Sequence, residues 1–186
     1  MGFHTFPVER ADDLEDPSRY RYCSREELVA AVVGGPDGLA LDLGCGTGFF
    51  TRDVAPFVEG VVAADVQPAM LDRLRANDPP AGVRPVAAAA AALPVRTDAV
   101  AVAVSTMTFH EYAAEAAHAE VHRVLEPGGR YVVVDWSREG AGERGPSLDE
   151  RFDLASASSD LQGAGFHVVR TQRRPETFLL IARATA

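Results

Sequence analysis

Short apolar runs alternate with longer stretches of helical spacing along most of this chain. The run Leu39–Leu43 (LALDL) leads straight into a glycine-rich turn, and Gly60–Asp65 (GVVAAD) is a second run of the same kind. Weaker Val83–Ala87 follows, then 99–104 (AVAVAV) and 131–136 (YVVVDW). Runs that are apolar at successive positions, with no alternation, suit strands buried on both faces of a parallel sheet. Between them lie helix signals. Ser24 and Glu27 form a capping box ahead of LVAAVV, which Gly34, Gly35 and Pro36 terminate. Positions 49–57 read as helix, as do 68–78, where Pro68 occupies the first turn, and 111–125, which Pro127-Gly128-Gly129 stops. The alanine run at 87–92 has helical propensity, but Leu93-Pro94 and the distance to the next strand predict a loop. Ser147 and Glu150 form a second capping box and predict a helix to Gln162. The last two runs, 166–170 and 178–183, are joined at Arg174-Pro175-Glu176, so they should be antiparallel. The pattern predicts an α/β fold: a Rossmann-like, doubly wound, mostly parallel sheet of about seven strands with a C-terminal antiparallel hairpin.

Residues 1–23 lack periodicity and hold the polar stretch ADDLEDPSRYRY, which reads as an irregular or partly helical arm. Residues 24–186 then form a single domain. No run approaches the roughly eighteen apolar residues of a membrane span, and the N-terminus has no basic segment followed by an apolar one. Cys23 and Cys45 suggest neither a disulfide framework nor a zinc site, so a cytoplasmic location and no metal are the expectations.

Charge narrows the partners. Net charge is −9, and all eighteen basic residues are arginine. An acidic surface repels phosphate backbones and anionic lipid, which argues against nucleic acid and membrane. Excess carboxylate without lysine fits adaptation to high salt, where self-repulsion is screened. A GC-rich genome that favours arginine and alanine codons would give the same bias.

The strongest chemical signal is Leu41-Asp42-Leu43-Gly44-Cys45-Gly46-Thr47-Gly48, at a strand-to-helix turn. Glycines there let backbone approach a ligand, and the following helix offers free N–H groups. The dinucleotide pattern GxGxxG fits poorly, since it needs glycine where Phe49 stands. Asp65 ends the second strand, where a carboxylate can accept both hydroxyls of a ribose, or can cap the helix that Pro68 opens. Ser105-Thr106-Met107-Thr108-Phe109-His110-Glu111-Tyr112 follows the fourth strand, at the carboxyl edge where open sheets bind ligands. His118 and His122 have metal-ligand spacing, but HAEVH is not HExxH and no third ligand is evident, so a solvated helix face is expected.

LDLGCGTG resembles the first motif of class I S-adenosylmethionine-dependent methyltransferases, specifically the small-molecule enzymes of the ubiquinone/menaquinone-biosynthesis (methyltransferase type 11) kind. Arg123-Val124-Leu125-Glu126-Pro127-Gly128-Gly129 is similar to the family's turn before the fifth strand, and the resemblance spans about residues 25–136. It implies S-adenosyl-L-methionine as cofactor, with Tyr22, Asp42, Gly44, Cys45, Gly46, Gly48, Phe49, Asp65, Val66, Met70, Ala89, Ala90, Ser105 and Thr106 around it. Asp42 would orient the loop and the cofactor amine, Asp65 would take the ribose, and Val66 would flank the adenine. Cys45 would serve packing. Relatives carry an acidic residue where Ala89 stands, to accept from the adenine amine. They also carry His where Glu111 stands. His110 would face the methyl donor, as a general base or as a residue that only shapes the pocket.

The implied reaction is direct displacement of a methyl group onto a small-molecule acceptor, for which alignment is the main demand. Acceptor choice would lie in the arm and in 137–160, both short. They predict a shallow pocket, or one closed by a second subunit in a homodimer. The arm would fold over the cofactor, with Tyr20 or Tyr22 touching it. Two rivals remain: a nicotinamide-dependent oxidoreductase, and a catalytically degenerate methyltransferase fold that serves as a binding or partner protein. High-salt adaptation predicts a melting temperature that rises from low to molar potassium chloride, and codon bias alone predicts no rise.

Overall fold

The structure is a computed structural model and describes residues 5–185, so residues 1–4 of the arm lie outside the described residues. The strands are β1 (Leu39–Leu43), β2 (Gly60–Asp65), β3 (Val83–Ala87), β4 (Val100–Thr106), β5 (Leu125–Trp136), β6 (Phe166–Arg173) and β7 (Thr177–Ala184). They form one seven-stranded sheet in the order β3-β2-β1-β4-β5-β7-β6. Strands β1 to β5 pair in parallel, while β7 runs antiparallel to both β5 and β6.

Successive side chains of each central strand enter opposite layers. Ala40, Val102, Val104, Val132 and Val134 face α1 (Arg25–Val33) and α2 (Phe49–Val54). Leu41, Ala103, Tyr131 and Val133 face the other layer, made by α4 (Phe109–Tyr112), α5 (Glu115–Val124) and α6 (Leu154–Gly163). Helix α3 (Pro68–Ala76) closes over Ala63 and Cys45 through Leu71 and Leu74. Burial on both faces is why these strands read as unbroken apolar runs. No helix among the described residues is long and apolar enough to cross a membrane.

Four segments differ from the sequence expectations. The helix predicted over 111–125 is two helices, broken at Ala113 and Ala114, which have extended ψ values of 100° and 157°. Phe109, fully buried, draws the first turn under the sheet, and the backbone N–H of His110 donates to Asp135 at 2.7 Å. That tertiary bond satisfies a first-turn donor and fixes α4 apart from α5. Pro127-Gly128-Gly129 does not precede the fifth strand but lies within it. Leu125 already pairs with Val100 and Arg130 pairs with Val102, so the residues between them bulge out. The Ser147–Glu150 capping box opens only a 3₁₀ turn (Leu148–Glu150), and α6 starts separately with Asp153 capping Ser156 at 2.7 Å. His118 is not on a solvated face. It is buried and stacked on Phe109 at 5.3 Å, and burial lowers its pKa, so it is a neutral core residue. Half-buried His122 donates Nε2–H to the Gly165 carbonyl at 3.1 Å.

The break before α6 has a cause in Arg151, whose side chain is 1% exposed. Its guanidinium donates to Glu176 at 3.1 Å, to the carbonyls of Pro146 (2.9 Å) and Ser137 (3.3 Å), and to that of Arg144, and it lies 5.4 Å from the Trp136 ring centre. One side chain thus ties the 138–153 linker to the end of β5 and to the β6–β7 turn. Arg151→Met leaves Glu176 without its cation in a buried setting. Equilibrium denaturation should show a loss of about 3 kcal/mol; a loss under about 0.5 kcal/mol would mean the pair is dispensable.

Candidate functional site

The sheet order reverses between β1 and β4: β2 and β3 lie to one side, β4 and β5 to the other. Chain leaving these strands in opposite directions opens a crevice at their carboxyl ends. A cavity of about 450 Å³ occupies it. It is lined by Asp65, Val66, Gln67 and Ala88 to Ala91, and by Gly44, Cys45, Gly46, Phe50, Thr106 and Met107.

Two glycines shape the floor. Gly44 and Gly46 have φ of +65° and +53°, in the left-handed region. A Cβ at Gly44 would collide with the side chain of Thr108, and one at Gly46 would lie 3.2 Å from Leu14. Asp65 holds this loop. One carboxylate oxygen accepts the Gly46 N–H at 2.8 Å and the other accepts the Gln67 N–H at 2.8 Å. The carboxylate is therefore both a clamp on the loop and the closure of the turn that leads through Gln67, the N-cap residue, into α3, and each oxygen retains acceptor capacity. Burial raises its pKa against these two bonds. Beneath the loop Asp42 is buried, with one oxygen accepting from Thr51 Oγ1 at 2.5 Å and the other without a partner. Burial pushes it up to about 7. Cys45 is buried, and burial raises its thiol well above the ordinary value, so it stays protonated.

Beside this cavity lies a second, of about 760 Å³, walled by the arm and by Arg144, Gly145, Pro146 and Glu150 of the linker. Thr5, Phe6, Leu14, Arg19, Met107 and Glu111 line both, so the two spaces share a wall. His110 lines the second cavity only. Its Nδ1 lies 3.0 Å from both carboxylate oxygens of Asp135, which is fully buried at the end of β5. A carboxylate can only accept here, so Nδ1 carries the proton and Nε2 is left as the free basic nitrogen. Burial lowers the imidazole pKa, but the charge and hydrogen bond of Asp135 outweigh it, and the net shift is upward. Glu111 is half-buried and pushed up to about 7, chiefly by burial, with His110 opposing.

Of the residues expected around the cofactor, Gly44, Cys45, Gly46, Asp65, Val66, Met70, Ala89, Ala90 and Thr106 line the first cavity. Tyr22 lies in the second, with its ring 4.8 Å from that of Trp136. Tyr20 packs on Phe49 at 4.8 Å and donates to Asp53 at 2.9 Å, lining neither cavity. Gly48, Phe49, Asp42 and Ser105 sit behind the lining. Gly48 lets α2 approach α3, since a Cβ there would meet Leu74 at 2.9 Å, and Phe49 and Ser105 are core. Sequence reasoning missed Asp135, Arg19 and the place of Glu111 on the shared wall. Asp135 carried a usable signal: like Asp65, it is an acid at the tip of an apolar strand. Arg19 carried none.

Comparison with known proteins agrees with this geometry. The profile of the Methyltransferase domain family matches residues 41–133, half of the chain. An uncharacterized methyltransferase-like protein of Schizosaccharomyces pombe is 39% identical over 135 residues, covering 72% of this chain and 52% of that protein. Demethylmenaquinone methyltransferase of Thermus thermophilus is 41% identical over 104 residues, covering 52% of this chain and 46% of that enzyme. The chain thus spans about half the length of these curated relatives. The crystal structure of an S-adenosylmethionine-dependent methyltransferase from Aquifex aeolicus superposes with a TM-score of 0.87 at 24% identity, over 97% of this chain and all of that one.

The Asp135–His110 pair makes a direct prediction for pH. In Asp135→Asn the two largest contributions that oppose burial are lost and only the weaker charges of Glu111 and Glu150 remain, so the His110 pKa should fall from its native value. NMR titration of the ring C–H signals reads this, and an unchanged pKa would mean Asp135 does not hold the ring. In the native protein the pair stabilises the fold fully below about pH 6.5, and this contribution is lost as pH rises through the raised pKa.

Proposed function

This chain belongs to the Methyltransferase domain family, whose enzymes use S-adenosylmethionine, and from that premise we propose that it transfers the cofactor's methyl group to a small-molecule acceptor. The observation that carries this reading is the wall shared by the two cavities: one is lined by the glycine loop and Asp65, and the other by His110.

The residues present fit the cofactor. Gly44 and Gly46 have no side chains to obstruct a close backbone approach, and Asp65 keeps acceptor capacity for a ribose diol. Val66 and Met70 offer apolar contact for a base. When bound, S-adenosylmethionine supplies an electrophilic methyl on a sulfonium. The protein's work is then to orient the donor, exclude water and place the acceptor in line. Met107 and Glu111 stand on the wall between the two sites. His110, with Nδ1–H committed to Asp135, takes the proton of an acceptor hydroxyl or amine on Nε2. Glu111, near half-ionised at neutral pH, gives the shared wall a second proton-accepting group. The catalytically degenerate alternative draws its support from Ala88 to Ala91, which offer the adenine amine no side-chain acceptor.

Titration calorimetry with S-adenosylhomocysteine tests the reading. Micromolar binding is expected, weakened at least tenfold by Asp65→Ala. Ala89→Asp restores an acceptor, and one added hydrogen bond of about 1 kcal/mol should tighten binding roughly fivefold. No binding by the native protein would overturn the cofactor assignment and leave the partner reading in its place.

A further inference from the structure

Arg19 belongs to neither of the motifs that identify the fold, yet it stands where the two cavities meet. It lies in a 3₁₀ turn of the arm (Pro17–Arg21) and lines the same cavity as Gly44, Cys45 and Gly46 of the glycine loop. One Nη donates to the Leu14 carbonyl at 2.7 Å, and the other lies 4.0 Å from the sulfur of Met107. The guanidinium carbon sits 4.8 Å from the ring centre of Phe50 and 5.2 Å from that of Phe49. Three elements therefore fix its plane: the arm, the start of α2 and the segment after β4.

What it lacks is an anion. Among the described residues Arg19 is in no ion pair, and of its five N–H donors a single bond goes to an oxygen. The neighbouring carboxylate of Glu15 is engaged by Arg52 and by Asn77 at 3.1 Å. Burial lowers the Arg19 pKa to about 10, with Glu15 opposing, so the cation persists at neutral pH. A guanidinium held this way, with donors to spare beside a ligand cavity, suits a carboxylate that binds through two N–H groups.

We propose that Arg19 is the receptor for the α-carboxylate at the methionine end of the cofactor, so that cofactor binding and docking of the N-terminal arm stabilise each other. The inference rests on the cofactor reading above. Charge selects this carboxylate. Arg19 is the one arginine among the described residues that line the first cavity, in a wall that also holds Gly44, Cys45, Gly46 and Met107, and the α-carboxylate is the anion that S-adenosylmethionine carries. The arm would then owe its contact with the cofactor to Arg19 and not to Tyr20 or Tyr22.

The test compares S-adenosylhomocysteine with 5′-methylthioadenosine, which shares its adenosine and thioether but lacks the amino acid. Calorimetry on the full chain should find Arg19→Met weakened ten- to a hundredfold for the homocysteine ligand and within twofold of native for methylthioadenosine. Arg19→Lys should recover part of the loss. Unchanged binding of S-adenosylhomocysteine by Arg19→Met would overturn the proposal and turn attention to an acceptor anion. An equal loss of both ligands would also overturn it, marking Arg19 as an anchor of the arm. A native protein that binds neither ligand would instead overturn the cofactor reading on which the proposal stands.

Discussion

The site depends on one buried carboxylate, Asp65, and the two N–H groups it accepts. Its bond to Gly46 ties the loop after β1 to the tip of β2, and its bond to Gln67 closes the turn that leads into α3. The loop has positive φ at Gly44 and Gly46, which glycine permits, and the bond from the Gly46 N–H selects that shape from the others open to it. With the clamp in place, the glycine floor, the strand tip and the first turn of α3 form one rigid edge of the crevice. The same acid that builds this edge lines the cavity, and in the proposed function it is also the acceptor for the ribose.

The opposite side is built by charge buried elsewhere. Asp135 holds α4 by accepting the His110 N–H and holds the imidazole by accepting Nδ1–H. Arg151 and Glu176 hold the linker that walls the second cavity. Both arrangements place charge where water is scarce, and both meet it with partners, which is the condition for keeping it there. Asp42 and Arg19 differ. Asp42 keeps one oxygen unpartnered and Arg19 lacks a counter-ion among the described residues, and both lie beside the glycine loop. At the site a ligand can supply what these two groups lack, whereas the unpartnered ring nitrogens of buried His118 lie away from it, in the core.

Much of this was legible in the residues. The run LALDLGCGTG showed a buried strand turning into a ligand loop, and Asp65 stood out because an acid that ends an apolar strand must have a use. Strands β1, β2 and β3 fall where the apolar runs place them, and the antiparallel hairpin of β6 and β7 follows from its short turn. Less legible were features set by partners distant in sequence. The break between α4 and α5 depends on Asp135, more than twenty residues away. His118 carries a polar label but is stacked on Phe109 in the core. The stretch LEPGGR gives the usual signature of a turn, yet Leu125 is already in register with Val100.

By itself the sequence determined the layers, the number of strands and the loop that carries the glycine floor. These follow from local rules, since periodicity fixes which faces are apolar and glycine and proline fix where the chain must turn. Tertiary structure alone decided which polar side chains meet. It brought Asp135 to His110, put Glu111 on the wall between two cavities, sent Tyr20 away from both, and set Arg19 in the lining of each. The physical reason is range. A hydrophobic pattern is read along a few turns of chain, whereas a buried charge takes whatever partner the packed sheet brings within about 3 Å.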